Sequence, residues 1–494
     1  MTMPLPRTLL TALLATLAVV VSGCGGGGTS GVSSESGASL VTAKAVAFVS
    51  IDSDLGSSQW GKVDDLSHKF PGRDKALSQL RQKLAKEGID WDRVDPALGP
   101  ELDIVVARGP TLDQTAAAFL TKPDDPDKFK ELVKKVDESD DAGSTPTAVR
   151  EVNGWYIAAE NDAAIDRVLK GSDEALSDSQ TFNDALGKLP NDALAKAYLN
   201  GPQLADLIRD AARADASSFD PDTIGLDKID FYAASLAAED DGIRLKGAVN
   251  GSGVSSFGQG DYDSKLLGGV PADALAFLTF DGGGVTSRLR SLQSNELFAQ
   301  ALRGLQASTG VSFDSLLDLF ANEVGFYVRP GAGIPELSLV LDPADREEAL
   351  ATLDRFAGRI AALYGGEVSS GTQDGHAVKT IDFGTVAVHW ADVDGKVLIT
   401  NGVTGVADYG GGSKLTDSAN FKDAKAAAGL PDSNGGFIYL DLKSGIPLIE
   451  SFAGLAGEPL PEEVAGNLRP LRSFVSWIAG SGDTRTFVAF LEIK

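Results

Sequence analysis

Few side chains on this chain are equipped for covalent or metal chemistry. One cysteine, Cys24, and three histidines, His68, His376 and His389, are the whole stock of thiols and imidazoles in 494 residues. A single thiol excludes an intrachain disulfide and a thiolate zinc cage. A serine or cysteine hydrolase needs a base within hydrogen-bond reach of its nucleophile, and no G-x-S-x-G elbow occurs. His68 stands between a helical stretch and the Phe70-Pro71-Gly72 turn, His376 follows Asp374-Gly375, and His389 falls in a strand-like run. Each reads as a surface or packed structural residue. A hairpin would bring His376 and His389 together, but without a third ligand that contact is not a site. The acidic runs 137–141 and 239–241, and Asp392-Val393-Asp394-Gly395, fall short of a calcium loop. Such a loop needs alternating ligands, a glycine at position six and a glutamate at twelve. They read as solvated turns, so no metal and no other cofactor is expected. Two carboxylates suffice for glycoside hydrolysis, but 70 acidic residues offer many accidental pairs and nothing marks one.

Those 70 acids stand against 44 Lys and Arg, a formal net charge of −26. Such a surface repels phosphate backbones, which excludes nucleic acid as a partner. The cluster best suited to recognition is Asp52, Asp54, Gln59 and Trp60, in a Gly/Ser-rich stretch after a strand-like run. A large aromatic among small polar residues on a loop makes a binding surface. The competing reading has Trp60 packing on the helix that follows and capping the core.

The position of Cys24 says more than its chemistry. Arg7 is the only charge before an apolar run from Leu9 to Val21, too short for the roughly 20 residues of a spanning helix. The run fits the core of a secretory signal peptide. Val21-Ser22-Gly23-Cys24 resembles the bacterial lipobox, which implies cleavage before Cys24 and a lipid on its thiol. Two acyl chains anchor a protein stably where one does not. Residues 1–23 are thus expected to be a leader and 24–39 a Gly/Ser tether spanning roughly 20 Å. The expected address is the extracytoplasmic face of the cell membrane.

The elements that must position any site repeat along the chain. LSDSQTF (176–182) returns as LTDSANF (415–421), 239 positions on; AVAFVSID (45–52) returns as ALAFLTFD (274–281), 229 positions on. Tyr198 matches Tyr439, and the helical stripe Leu207, Ile208, Ala211 matches Leu448, Ile449, Phe452, both at a shift of 241. Ordered matches of this kind mark a tandem duplication, with copies over 40–250 and 270–494 and a connector over 251–269. Within each copy a strand, a helix and two turn-linked strands recur. AEDDG and ADVDGK sit between alternating runs as hairpin turns. Leu204, Leu207, Ile208, Ala211 and Ala212 recur at helical spacing, which predicts one buried helix face. The expected class is α+β, with antiparallel sheet backed by helices. The second copy is longer between its matched Pro343 and Gly395 than the first between Pro123 and Gly154, consistent with an added strand or hairpin holding His376 and His389.

SIDSDLGSSQWGKVDDLSHKFPG (50–72), followed by an amphipathic helix and a strand, resembles an actinobacterial lipoprotein family. That family is known only as domain of unknown function thirty-three fifty-two. The resemblance rests on Gln59-Trp60 and Phe70-Pro71-Gly72, and it implies a location and an architecture but no catalytic residues. The expectation is a non-catalytic, envelope-anchored protein that binds a lipid, another apolar molecule or an envelope protein. The alternatives are a carboxylate-dependent cell-wall hydrolase and a structural spacer.

Overall fold

The computed structural model describes residues 36–494 except 87–90, 140–145, 215–221, 223–224, 255–259, 292, 294–295, 332–333, 365, 385, 456 and 481. Cys24, the leader and tether residues 24–35 lie outside the described residues. Among those described, no helix is long and apolar enough to cross a membrane.

Eight strands form the first copy: β1 (Ala45–Asp52), β2 (Glu101–Ala107), β3 (Ala116–Thr121), β4 (Ala148–Val152), β5 (Trp155–Ala159), β6 (Ala195–Asn200), β7 (Phe231–Glu239) and β8 (Gly242–Asn250). The second contributes ten to the same sheet: β9 (Ala276–Asp281), β10 (Glu323–Arg329), β11 (Glu336–Leu341), β12 (Glu367–Gln373), β13 (His376–Asp382), β14 (Ala387–Val393), β15 (Lys396–Thr400), β16 (Gly436–Asp441), β17 (Leu471–Ala479) and β18 (Thr484–Ile493), while Ser433–Asn434 pairs with Tyr262–Asp263 in a separate two-stranded sheet. Strands β1 to β18 pair antiparallel in one sheet, ordered β4-β5-β3-β2-β1-β6-β7-β8-β18-β17-β16-β9-β10-β11-β15-β14-β13-β12. Read outward from the β8–β18 junction, the two halves have the same order, and the second adds the hairpin β12–β13. The matched turns Asn153-Gly154 and Asp394-Gly395 have successive positive φ values, 53° and 80°, then 51° and 82°. That is the twist a two-residue hairpin requires.

The junction is itself symmetric. Lys246 on β8 lies opposite Val488 on β18. Counted through the ladders from Tyr198 and Tyr439, these two residues occupy the same position of their copies. A local two-fold axis therefore passes between them.

The helices divide between the two faces of the sheet. On the closed face, α5 (Asp162–Val168) and α6 (Gln180–Leu186) cover the first core, while α12 (Gly405–Asp408) and α13 (Ala419–Ala428) cover the second. The other face carries α1 (Ser58–Ser67), α3 (Trp91–Leu98), α4 (Pro126–Ser139), α7 (Gly201–Ala214), α10 (Phe313–Asp318), α11 (Arg346–Tyr364) and α14 (Leu442–Leu455). There α3 and α4 seal one outer third of the sheet through Phe129 and Tyr156, and α10 and α11 seal the other through Leu341, Ala349 and Trp390. Phe182 meets Tyr198 edge-on at 5.1 Å and 86°, and Phe421 meets Tyr439 at 5.0 Å and 87°. The duplication thus extends to the same ring contact in each core.

One expectation needs correction. The tether does not run loose through Ser39: Ser36, Gly37 and Ala38 are buried, and a Cβ on Gly37 would come within 1.9 Å of Asp103 Oδ2. Glycine is required there because chain and carboxylate touch. Within the connector, Leu266 is wholly buried in the second core and Tyr262 Oη lies 3.1 Å from Thr279 Oγ1.

Candidate functional site

The Asp52, Asp54, Gln59, Trp60 cluster spends its polar groups inward. Ser57 caps α1 by accepting from the Trp60 amide, and its own hydroxyl donates to Asp52 Oδ2 at 2.6 Å. Trp60 is 8 % exposed and its Nε1–H donates to the Asp52 carbonyl at 2.8 Å. Gln59, also buried, accepts from the Ala238 amide at 2.8 Å and donates to Asp192 at 3.0 Å. Asp54 accepts from the Gly56 amide at 2.9 Å. These residues lock α1 onto β7, so the open recognition loop is replaced by a cap on the core. The physical reason is the helix start at Ser58, which turns the aromatic ring under the chain. Only Gln59 reaches a cleft, of about 320 Å³, lined also by Lys62, Asp192, Arg244 and Lys246.

The histidines remain apart. His389 lies opposite Thr380, and its Nδ1 is 2.8 Å from the Thr380 hydroxyl. His376 stands four positions further along β13, with Nδ1 3.1 Å from the Asp392 carbonyl. The inserted hairpin and α11 enclose a cleft of about 620 Å³. Four of its charges pair with one another: Arg346 holds Asp392 at 2.9 Å and Lys379 holds Asp354, to which Trp390 Nε1 also donates at 2.9 Å. No group of three or more His, Cys, Asp or Glu among the described residues is placed to hold a metal.

Sequence reasoning missed a carboxylate cluster. Asp103 is fully buried beside Glu101, and burial, then the Glu101 charge, drives its carboxyl well above the usual range. Burial also raises Glu101. Asp52, next along, is pushed up to about 6, again chiefly by burial. Such a pair has the look of an acid–base couple, but Gly37 and Trp155 close over Asp103. Asp103 is therefore wholly enclosed on that side.

What remains open is the middle of the other face. Helix α7 stands on β1, β6 and β7, and α14 stands on β16 and β17; β8 and β18 run between them. The floor so defined is apolar in register: Leu236 faces Leu245, Leu245 faces Ala489, and Ile478 faces Phe487. Leu236 is 39 % exposed, Leu245 38 %, Ile478 48 % and Ile438 36 %. Phe487 lies across the junction, since a Cβ on Gly247 would come within 2.1 Å of its ring. Trp60 and Leu66 of α1 close one end over Ala238, Ile243 and Leu491. On α7 the predicted buried stripe is only half-buried at Leu204, Leu207 and Ile208, and Ile449 on α14 is largely exposed. The stripe is therefore not sealed in a filled core, and the exposed floor between α7 and α14 forms a shallow trough.

The described residues form an antiparallel α+β duplication with exposed apolar side chains around its internal two-fold axis. Residues 115–476 match the family described as "Protein of unknown function (DUF3352)", and the chain belongs to that family. No curated protein matches it. Among solved structures it is similar to "Structure of crystal form IV of TP0453", 13 % identical with a TM-score of 0.23, over 46 % of this chain and 81 % of that one. "Structure of crystal form III of TP0453" matches at 14 % identity and TM-score 0.23, over 46 % and 79 %. Scores this low define no shared fold.

Proposed function

We propose that this protein is an envelope lipoprotein, held by a lipid on Cys24 at the outer face of the cytoplasmic membrane, that binds an elongated apolar molecule without converting it. The observation that carries the ligand is the set Leu236, Leu245, Ile438 and Ile478, each more than a third exposed on one sheet face. Full burial of a Leu or Ile is worth about 1.5–3 kcal/mol, so covering four that are two-fifths bare returns about 2–5 kcal/mol. Contiguous exposed apolar surface of this kind marks a binding site. The flanking helices α7 and α14 favour a narrow, chain-like ligand over a folded protein. The address is supported by Arg7, the short apolar run and the sole cysteine at the end of VSGC.

Native mass spectrometry of protein taken from its own membranes should detect an apolar adduct, lost in Leu245→Glu. Protein that is bare in every preparation would sink the reading. Cys24→Ser should leave the membrane fraction and take up no radiolabelled fatty acid; unchanged fractionation would refute the anchor. Turnover of the adduct, abolished by one carboxylate substitution with folding intact, would make the protein a hydrolase instead.

A further inference from the structure

The trough has two lanes, and the axis between Lys246 and Val488 relates them. Counted through the strand ladders, Leu236 and Ile478 are the same position of their copies, as are Leu245 and Phe487. The two members of the first pair are both strongly exposed, 39 % and 48 %. Duplication has therefore left an equivalent apolar lane on each side of the β8–β18 pair, rather than one deep pocket.

Charge breaks this symmetry at one end. Arg485 on β18 lies opposite Val249 on β8, on the open face, where the first copy has Ile243. Its guanidinium donates to the Gly482 and Thr484 carbonyls at 3.4 and 3.2 Å and, among the described residues, has no carboxylate partner. By contrast, Arg108, Arg150, Arg209 and Arg329 each hold two or more carboxylates. The opposite end, under Trp60, is closed and apolar. From Arg485 to Leu491 the strand runs about 20 Å at roughly 3.3 Å per residue, which is the reach of a long hydrocarbon chain.

We infer that the trough takes an anionic amphiphile with two hydrocarbon chains, one in each lane, its head group at Arg485. This rests on the apolar-binding reading above and adds to it the number of chains, their direction and the sign of the head.

The test uses the purified full chain, stripped of adducts, titrated separately with oleate, dioleoylphosphatidylglycerol and dioleoylphosphatidylcholine and read by native mass spectrometry. Expected are two oleates per chain, one phosphatidylglycerol per chain, and phosphatidylcholine at least tenfold weaker than phosphatidylglycerol. Arg485→Gln, a surface change, should abolish the preference and bring phosphatidylglycerol to the level of phosphatidylcholine. Leu236→Glu and Ile478→Glu should each cut oleate from two to one, with circular dichroism unchanged. One oleate per parent chain would overturn the two-lane inference while leaving the apolar-binding reading intact. Equal binding of the two phospholipids, indifferent to Arg485, would overturn the head-group assignment. If none of the three binds, the underlying reading fails as well.

Discussion

The two copies share a strand order but fill their closed-face cores in opposite ways. In one transverse row the first copy places Ala159, Ala118, Val105, Phe48 and Tyr198; the second places Thr400, Ser338, Tyr327, Phe277 and Tyr439. There the first copy is nearly all apolar, and the second runs a polar track on to His389 and Thr380, with the Ser338 hydroxyl donating to Thr400 at 2.8 Å. In the neighbouring row the roles reverse. Asp103, Ser50, Lys196 and Ser235 of the first copy stand where the second has Gly325, Thr279, Phe437 and Trp477. Each copy thus carries one polar row in its core, and not the same one. A pair of aromatic rings at fixed geometry is enough to hold the fold while a whole row changes character, provided the polar groups find partners or protons.

The largest expected effect tests what is common. Phe182→Ala and Phe421→Ala each remove a buried ring from the same edge-on pair and should each cost about 3–5 kcal/mol. Chemical denaturation should return similar losses; a difference above about 2 kcal/mol would mean the rows, not the rings, set core strength.

A smaller effect isolates a buried carboxyl beside the first copy's polar row, Asp52, opposite Glu101. The Asp52 carboxyl, raised to about 6 in the fold from 3.8, contributes stability below about pH 4 that is lost as pH rises through 6. Asp52→Asn keeps an acceptor for Ser57 and should be about 1–2 kcal/mol more stable than the parent at pH 7. The gain should vanish below pH 4. Melting curves across that window check it, and a pH-independent difference would break the link to the buried charge.

The smallest effect addresses the polar track. Burial lowers the His389 pKa below 6.5, so the fold loses stability as pH falls below that value. His389→Ala installs the residue found at Ala148 in the first copy and should flatten this acid-side slope by less than about 1 kcal/mol. An unchanged slope in thermal melts would assign the acid sensitivity elsewhere.

The duplication was legible because strands β1 and β9 match Phe48 to Phe277 at a shift of 229, strands β6 and β16 match Tyr198 to Tyr439 at 241, and hairpin turns such as Asp394-Gly395 declare themselves. The helix α7 was legible as an amphipathic element, but its half-buried state was not, because what a stripe faces depends on strand order. The trough depends on Leu245 meeting Ala489 and on Val249 meeting Arg485, contacts across more than 230 residues. A signal was present: FYAASLAAE and FVAFLEI are apolar on both faces, as strands with two covered sides are. Trp60 misled for a local reason, since small polar neighbours look the same in a loop and at a capped helix start. The pairing of Asp103 with Gly37 had no sequence signal, because the two lie 66 positions apart in the chain.

The β8–β18 pairing also decides how the molecule behaves in a crowd. Any pleated tape presents a row of bare amides and carbonyls at each terminus, on which a neighbour can template itself into a fibre. Two unjoined copies would offer four such termini; zipping them together leaves β4 and β12 alone as ends. The first has five residues and bears Arg150, engaged by Asp162 and Asp166. The second reads EVSSGTQ, with polar residues at most positions and no large aromatic. Growth by strand addition is thereby stopped at both termini, and eighteen strands can lie side by side without becoming the seed of a nineteenth.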